Sequence, residues 1–212
     1  MFTNSNLGLK YHLFLLIKKM HDIEPHFRWR SEYQAEKDPK SPFFQRQYSE
    51  FEFSNKIYNY YIHPQWDSFG SETLYMKLLY ADYDEGLAVI ELIGEWNDAV
   101  ENDVMYLKRE IADHLINEGI VKFVLICENV LNFHASDDCY YEEWAQDVAD
   151  EMGWIAILNV RNHVYEELKD AYIDQHTYIF PESAAVNWRK FKPQNFLKKL
   201  QSFLDEMPKW ID

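Results

Sequence analysis

Between Gly86 and Pro181, short β-branched runs alternate with amphipathic helical runs in one continuous βαβαβα pattern. Such alternation is the mark of strands joined by helical crossovers, so the chain must build an α/β sheet with helices on its faces. Two strands precede the first helix. Leu74, Met76, Leu78 and Tyr80 alternate along Leu74 to Tyr83, Asp84-Glu85-Gly86 reads as a hairpin turn, and Leu87 to Ile93 returns. An antiparallel pair followed by crossovers predicts a mixed sheet.

The later elements follow from periodicity. A helix is expected from about Asp98 to Glu118, with Asp98 and Glu101 at capping-box spacing. Val100, Val104, Leu107, Ile111 and Leu115 form its apolar stripe, and Gly119 its stop. Ile120 to Cys127 is nearly all apolar, as a strand covered on both faces must be, so it belongs in the middle of the sheet. A second helix begins near Ser136 to Asp138 and carries Tyr140, Trp144, Val148 and Met152 at four-residue intervals. Trp154 to Val160 reads as a strand, Asn162 to Asp174 as a helix and Thr177 to Phe180 as a short strand. A last helix follows Pro193, with Phe196, Leu200, Phe203 or Leu204, and Met207 facing inward.

Residues 1–72 read as an addition to this 73–212 domain. Leu7 to Met20 has helical character, and Met20 could serve as the start codon. Glu32 to Pro42 is polar and aperiodic, a linker or loop. Around Ser54-Asn55, Phe51 and Phe53 on one side and Tyr58, Tyr60 and Ile62 on the other alternate with polar residues, which predicts an aromatic-rich β-hairpin lying against the main domain or a partner. His63-Pro64-Gln65-Trp66-Asp67 could be a recognition loop or the anchor of that hairpin.

Charge narrows the partners. With 21 Lys and Arg against 36 Asp and Glu the formal charge is −15, which argues against nucleic acid and against an anionic membrane surface. Asp82 to Asp174 carries nearly all of the acidic excess, while Lys10 to Arg46 and Arg189 to Lys199 are basic and either neutralise it or form a basic partner site. Two cysteines make no disulfide framework, the apolar run Tyr11 to Ile17 is too short and wrongly flanked for a secretory signal, and no run approaches a bilayer span. The expected compartment is the cytoplasm.

The order of two strands, helix, strand, helix, strand, helix, strand, helix resembles the STAS domain, and within it the SpoIIAA-like branch related to anti-sigma-factor antagonists. Leu87 to Gly94 (LAVIELIG) looks like the strand and glycine entering the first helix; Val124 to Phe133 (VLICENVLNF), with His134, Ala135 and Ser136, looks like the strand and loop leading to the second. Trp144 with Asp147 is similar to the tryptophan and aspartate of that helix. The likeness covers residues 73–207. It implies a bacterial regulatory module that binds another protein, with a phosphorylatable Asp-Ser pair before the second helix. Here the pair is replaced by His134-Ala135-Ser136, with Ser136 one position late and Asp137 and Asp138 beside it. A phosphate there would meet like charge, so Ser136 reads first as a helix N-cap.

Two constellations could carry chemistry. His134, Asp137, Asp138 and Glu142, with Cys139 and Glu143 nearby, form the densest set of potential metal ligands, although acids in a first helical turn also serve the helix dipole. Trp96-Asn97-Asp98 ends the second strand near His134, where open α/β sheets take ligands; Trp96 could stack there while Asn97 or Asp98 caps a helix. No GxGxxG, Walker, GxSxG or HExxH pattern occurs, so no cofactor is expected. The resulting expectation is a non-catalytic STAS-like protein-interaction module. The alternatives are a metal-dependent enzyme or ligand-binding protein built on the His134 cluster, and a homodimer or larger homo-oligomer paired through the Tyr48 to Ile62 hairpin.

Overall fold

The computed structural model describes residues 23–206. The helix expected over Leu7 to Met20, and Met207, lie outside them. Two two-residue strands, β1 (Lys56–Ile57) and β2 (Tyr60–Tyr61), form a small hairpin. The main sheet holds β3 (Leu74–Asp82), β4 (Leu87–Asn97), β5 (Lys122–His134), β6 (Trp154–Val160) and β7 (Tyr178–Pro181) in that order. β3 runs antiparallel to β4 and every other neighbour pair is parallel, so the sheet is mixed. Helix α1 joins β4 to β5 through segments Asp103–Tyr106, a π-helical Leu107–Ala112 and Asp113–Asn117. Helices α2 (Cys139–Ala149), α3 (Asn162–Asp170) and α4 (Pro193–Asp205) complete the fold.

β5 lies in the middle. Successive side chains of a strand point to opposite faces, and Val124, Leu125 and Ile126 are all 0% exposed because both faces are covered. Leu125 and Phe123 pack with Leu107, Ile111 and Leu115 of α1, Trp144 and Val148 of α2, and Val164 and Leu168 of α3. Val124 and Ile126 pack on the other side with Phe196, Leu200 and Leu204 of α4 and with Trp29 and Trp188. Trp29 comes from the segment before the sheet, and its indole N–H donates to the Phe191 carbonyl at 2.9 Å.

Several local expectations shift. Strand β4 runs on through Trp96 and Asn97, so the Asp98–Glu101 capping box does not form; α1 starts at Asp103 behind a left-handed Asn102, and Val100 is exposed. The hairpin turns at Tyr58-Asn59 rather than Ser54-Asn55, which leaves Phe51 and Phe53 outside its strands and Tyr58, Tyr60 and Tyr61 exposed. Glu32 to Pro42 is no free linker: a 3-10 turn, Phe27–Ser31, leads into it, a second, Ala35–Lys37, lies within it, and Ala35 and Ser41 are buried. Trp66 and Asp67 are buried too, so their loop is an anchor. In α2 the inward residue is Tyr141, not Tyr140, while Met152 lies beyond the helix and points to solvent. In α4 the inward choice falls on Leu204, with Phe203 outside.

Truncating a side chain at 0% exposure removes contacts that cannot be refilled. Leu125→Ala is expected to lower the unfolding free energy by about 3 kcal/mol in urea titration. Phe51→Ala, at a site the sequence pattern would place in a strand, is expected to change it by less than about 0.5 kcal/mol.

Candidate functional site

β4 and β5 continue side by side beyond the core, with Asn97 in register with His134. The Asp98 and Ala99 amides both donate to the His134 carbonyl, at 2.9 and 3.1 Å. The two stretches expected to meet at the carboxyl end of the sheet therefore do meet.

The structure fills that end with the chain's own side chains. Trp96 is 1% exposed, its indole lying between Tyr141 and Phe133 with centroid distances of 6.1 Å to each. It is a packed core residue, not an open stacking platform. Asp98 closes the arrangement: its Oδ1 accepts from the Trp96 indole N–H at 2.9 Å and from the Val104 amide at 2.8 Å, and its Oδ2 accepts from the Tyr141 hydroxyl at 2.6 Å. One carboxylate thus ties β4 to the first turn of α1 and to α2. Burial pushes its pKa up to about 7, while those three donors pull the other way. Asn97 Oδ1 accepts from the Val100 amide at 3.1 Å, while the Asn97 amide donates to Asp103 Oδ2 at 2.7 Å. Asp103 is itself fully buried, and its Oδ1 has no hydrogen-bond partner among the described residues.

The opposite face of the same strand ends is wetter. Glu95 accepts from the Tyr58 hydroxyl at Oε2 and from the Asn132 amide at Oε1 (3.0 Å), and His134 Nε2 stands 3.9 Å from Oε2. Ser136 is exposed and caps nothing; the N-cap of α2 is Asp138, and Asp137 Oδ1 accepts from the Cys139 amide at 3.2 Å. Deeper on this face Glu91, buried, accepts from Arg189 at 3.0 Å and from the His26 amide at 2.8 Å, and burial raises its pKa to about 7.

The four metal-ligand candidates diverge. Asp138 turns to His176 at 2.9 Å, Glu142 accepts from Gln146 at 3.1 Å, Asp137 holds the helix start and His134 faces Glu95. Among the described residues no group of three or more His, Cys, Asp or Glu side chains could hold a metal ion. Neither thiol is an activated nucleophile: burial raises Cys127 far above the usual thiol range, and a hydrogen bond with Asp137 lifts Cys139 to about 11.

Glu95, Asn132 and Tyr58 carry this geometry without a sequence signal for it. Tyr141 had half a signal, because a residue three before Trp144 shares its face as well as one four before.

The sequence matches no protein-family model and no curated protein. Among solved structures the fold is similar to the crystal structure of a Thermotoga maritima protein assigned as an anti-sigma factor antagonist, at 16% identity and a TM-score of 0.38, over 53% of this chain and 87% of that one. Among the described residues no helix is long and apolar enough to cross a membrane.

Removing Asp98 strands three buried donors, so Asp98→Ala is expected to cost about 3 kcal/mol or more. Asp98→Asn keeps the acceptor for Trp96 and Val104, and its amide can donate to Tyr141, so the loss should be much smaller. The pH response separates the two forms of this group. With a folded pKa near 7 and an ordinary carboxylate value when unfolded, Asp98 binds more protons in the folded state between about pH 4 and 7, so its contribution to stability falls as pH rises through that window. Urea titrations at several pH values are expected to show wild type losing stability relative to Asp98→Asn from pH 4 to 7.

Proposed function

We propose that this chain is a cytoplasmic, non-catalytic STAS-like module of a bacterial regulatory system that acts by binding another protein. The observation that supports the reading most directly is the plugged carboxyl end of the sheet. Open α/β sheets bind small ligands in the crevice at this position. Here Trp96, Phe133 and Tyr141 occupy it, and Asp98 uses both oxygens on internal donors. What remains accessible is surface: the loop from His134 to Asp137 together with Cys139 and Glu142 of α2 is exposed, and Asp138 is half-buried against His176. The element order adds the family's expectation of a protein partner, carried by analogy of fold. The two cysteines are free, in keeping with a reducing compartment.

Affinity capture with the full chain from lysate of its source organism is expected to recover one partner in stoichiometric amount. The double variant Asp137→Lys, Glu142→Lys, both on exposed positions, should lower recovery by about tenfold, while the lost Asp137 cap on the Cys139 amide and the reversed charge at the start of α2 cost only about 1 kcal/mol of stability. Turnover of a small-molecule substrate by the purified protein, with no partner recovered, would contradict the proposal.

A further inference from the structure

The β1–β2 hairpin is too short to stand alone, since an isolated two-stranded hairpin is marginal even at full length. Its inner side supplies what holds it: Ile57 and Ile62 pack with Trp66, Tyr75 and Ile93. Gly94 makes the close approach possible. At φ +126 it sits where a Cβ would meet the Ile57 Cδ1 at 3.2 Å and collide with the Thr73 carbonyl. The packing that holds the hairpin uses neither the Tyr58 nor the Tyr60 ring, and these are 63% and 58% exposed.

Tyr58 also holds a positive φ of 53, a conformation that costs a side-chain-bearing residue. That backbone carries its hydroxyl to Glu95, whose other oxygen is taken by Asn132. Leu131, 40% exposed, adjoins Asn132. Glu95 is buried with both oxygens taken, so it serves to fix Tyr58, and what the hairpin presents to solvent is tyrosine. Rings with an apolar body and a polar tip, held rigid at little entropic cost, are the residues that dominate protein interfaces. The neighbouring chain is acidic, with Glu50, Glu52 and Glu72 exposed beside the hairpin. One cation already lies on its aromatic surface: Lys56 Nζ is 4.3 Å from the Tyr61 ring centroid.

We propose that this outer hairpin face, centred on the exposed Tyr58 and Tyr60 and flanked by Glu50, Glu52 and Glu72, docks a basic, arginine-bearing segment of a partner protein. The inference rests on the reading of the chain as a protein-binding module and names the chemistry of its partner. Guanidinium stacks on a tyrosine face while its N–H fork reaches carboxylates, which an ammonium does less well. A second copy would bring the same glutamates against one another, so the charge favours a different chain.

The probes are two labelled peptides, one alternating arginine with alanine and one alternating lysine with alanine, titrated against the full-length chain by fluorescence anisotropy at about 0.15 M salt. The arginine peptide is expected to bind roughly fivefold tighter. Tyr60→Ser should reduce that preference while leaving the urea midpoint in place; Tyr58→Ser with Tyr60→Ser should reduce it further and lower the midpoint, because it also removes the hydrogen bond to Glu95. Equal binding of the two peptides, or a preference indifferent to the tyrosines, would overturn the proposal; so would light scattering that shows a dimer dissociated by the tyrosine variants. If a captured partner is lost with the Asp137 and Glu142 variants but retained by the tyrosine variants, the binding-module reading stands and this surface is wrong. If purified protein turns over a substrate and no partner is captured, the module reading itself fails.

Discussion

The burial of β5 on both faces is the constraint from which the rest of the structure follows. A strand whose consecutive side chains Val124, Leu125 and Ile126 are all shielded needs a layer above and a layer below. Helices α1, α2 and α3 supply one. The other needs α4 together with Trp29 and Trp188, so the segment ahead of the sheet is recruited into the core. The aromatic richness of the chain finds its physical reason there, because a single helix leaves part of a sheet face uncovered.

Charge is organised around the same frame. Buried Lys108 of α1 donates to Asp147 of α2 at 2.6 Å and to Asp113, while Arg109 grips Glu143 through both nitrogens at 2.6 and 2.8 Å. The pairing fixes one helix against the next, a role in which a lone buried charge would be destabilising and a fully partnered one is tolerated. At the strand ends Asp98 does the corresponding work with neutral donors. Much of the acidic excess thus lies where it joins elements, and the remainder is left at the surface, where it governs which partners approach.

Strong periodic signals were legible residue by residue. Trp154–Val160 forms the strand its apolar run implies, and α4 begins at Pro193, a residue whose fixed φ suits a first helical turn. Expectations shifted where two local preferences competed. Asp98 and Glu101 have capping-box spacing, but β4 gains ladder bonds by running alongside β5 to Asn97, and Asp98 instead caps from a distance through the Val104 amide. The hairpin turn moved because Tyr58 adopts a positive φ that its residue type does not advertise. The meeting of Trp96–Asp98 with His134 follows from both stretches lying at the carboxyl ends of strands in a largely parallel sheet. The closing role of Tyr141 and the pairing of Asp138 with His176 depend on contacts across 43 and 38 residues, which no local pattern encodes.

Native-state hydrogen exchange of β5 tests the layered account most directly. If both faces are sealed, the amides of Val124, Leu125 and Ile126 exchange only through global unfolding, with a free energy equal to that from urea titration. Exchange of those amides through local opening, as fast as in the hairpin at Tyr58, would contradict it.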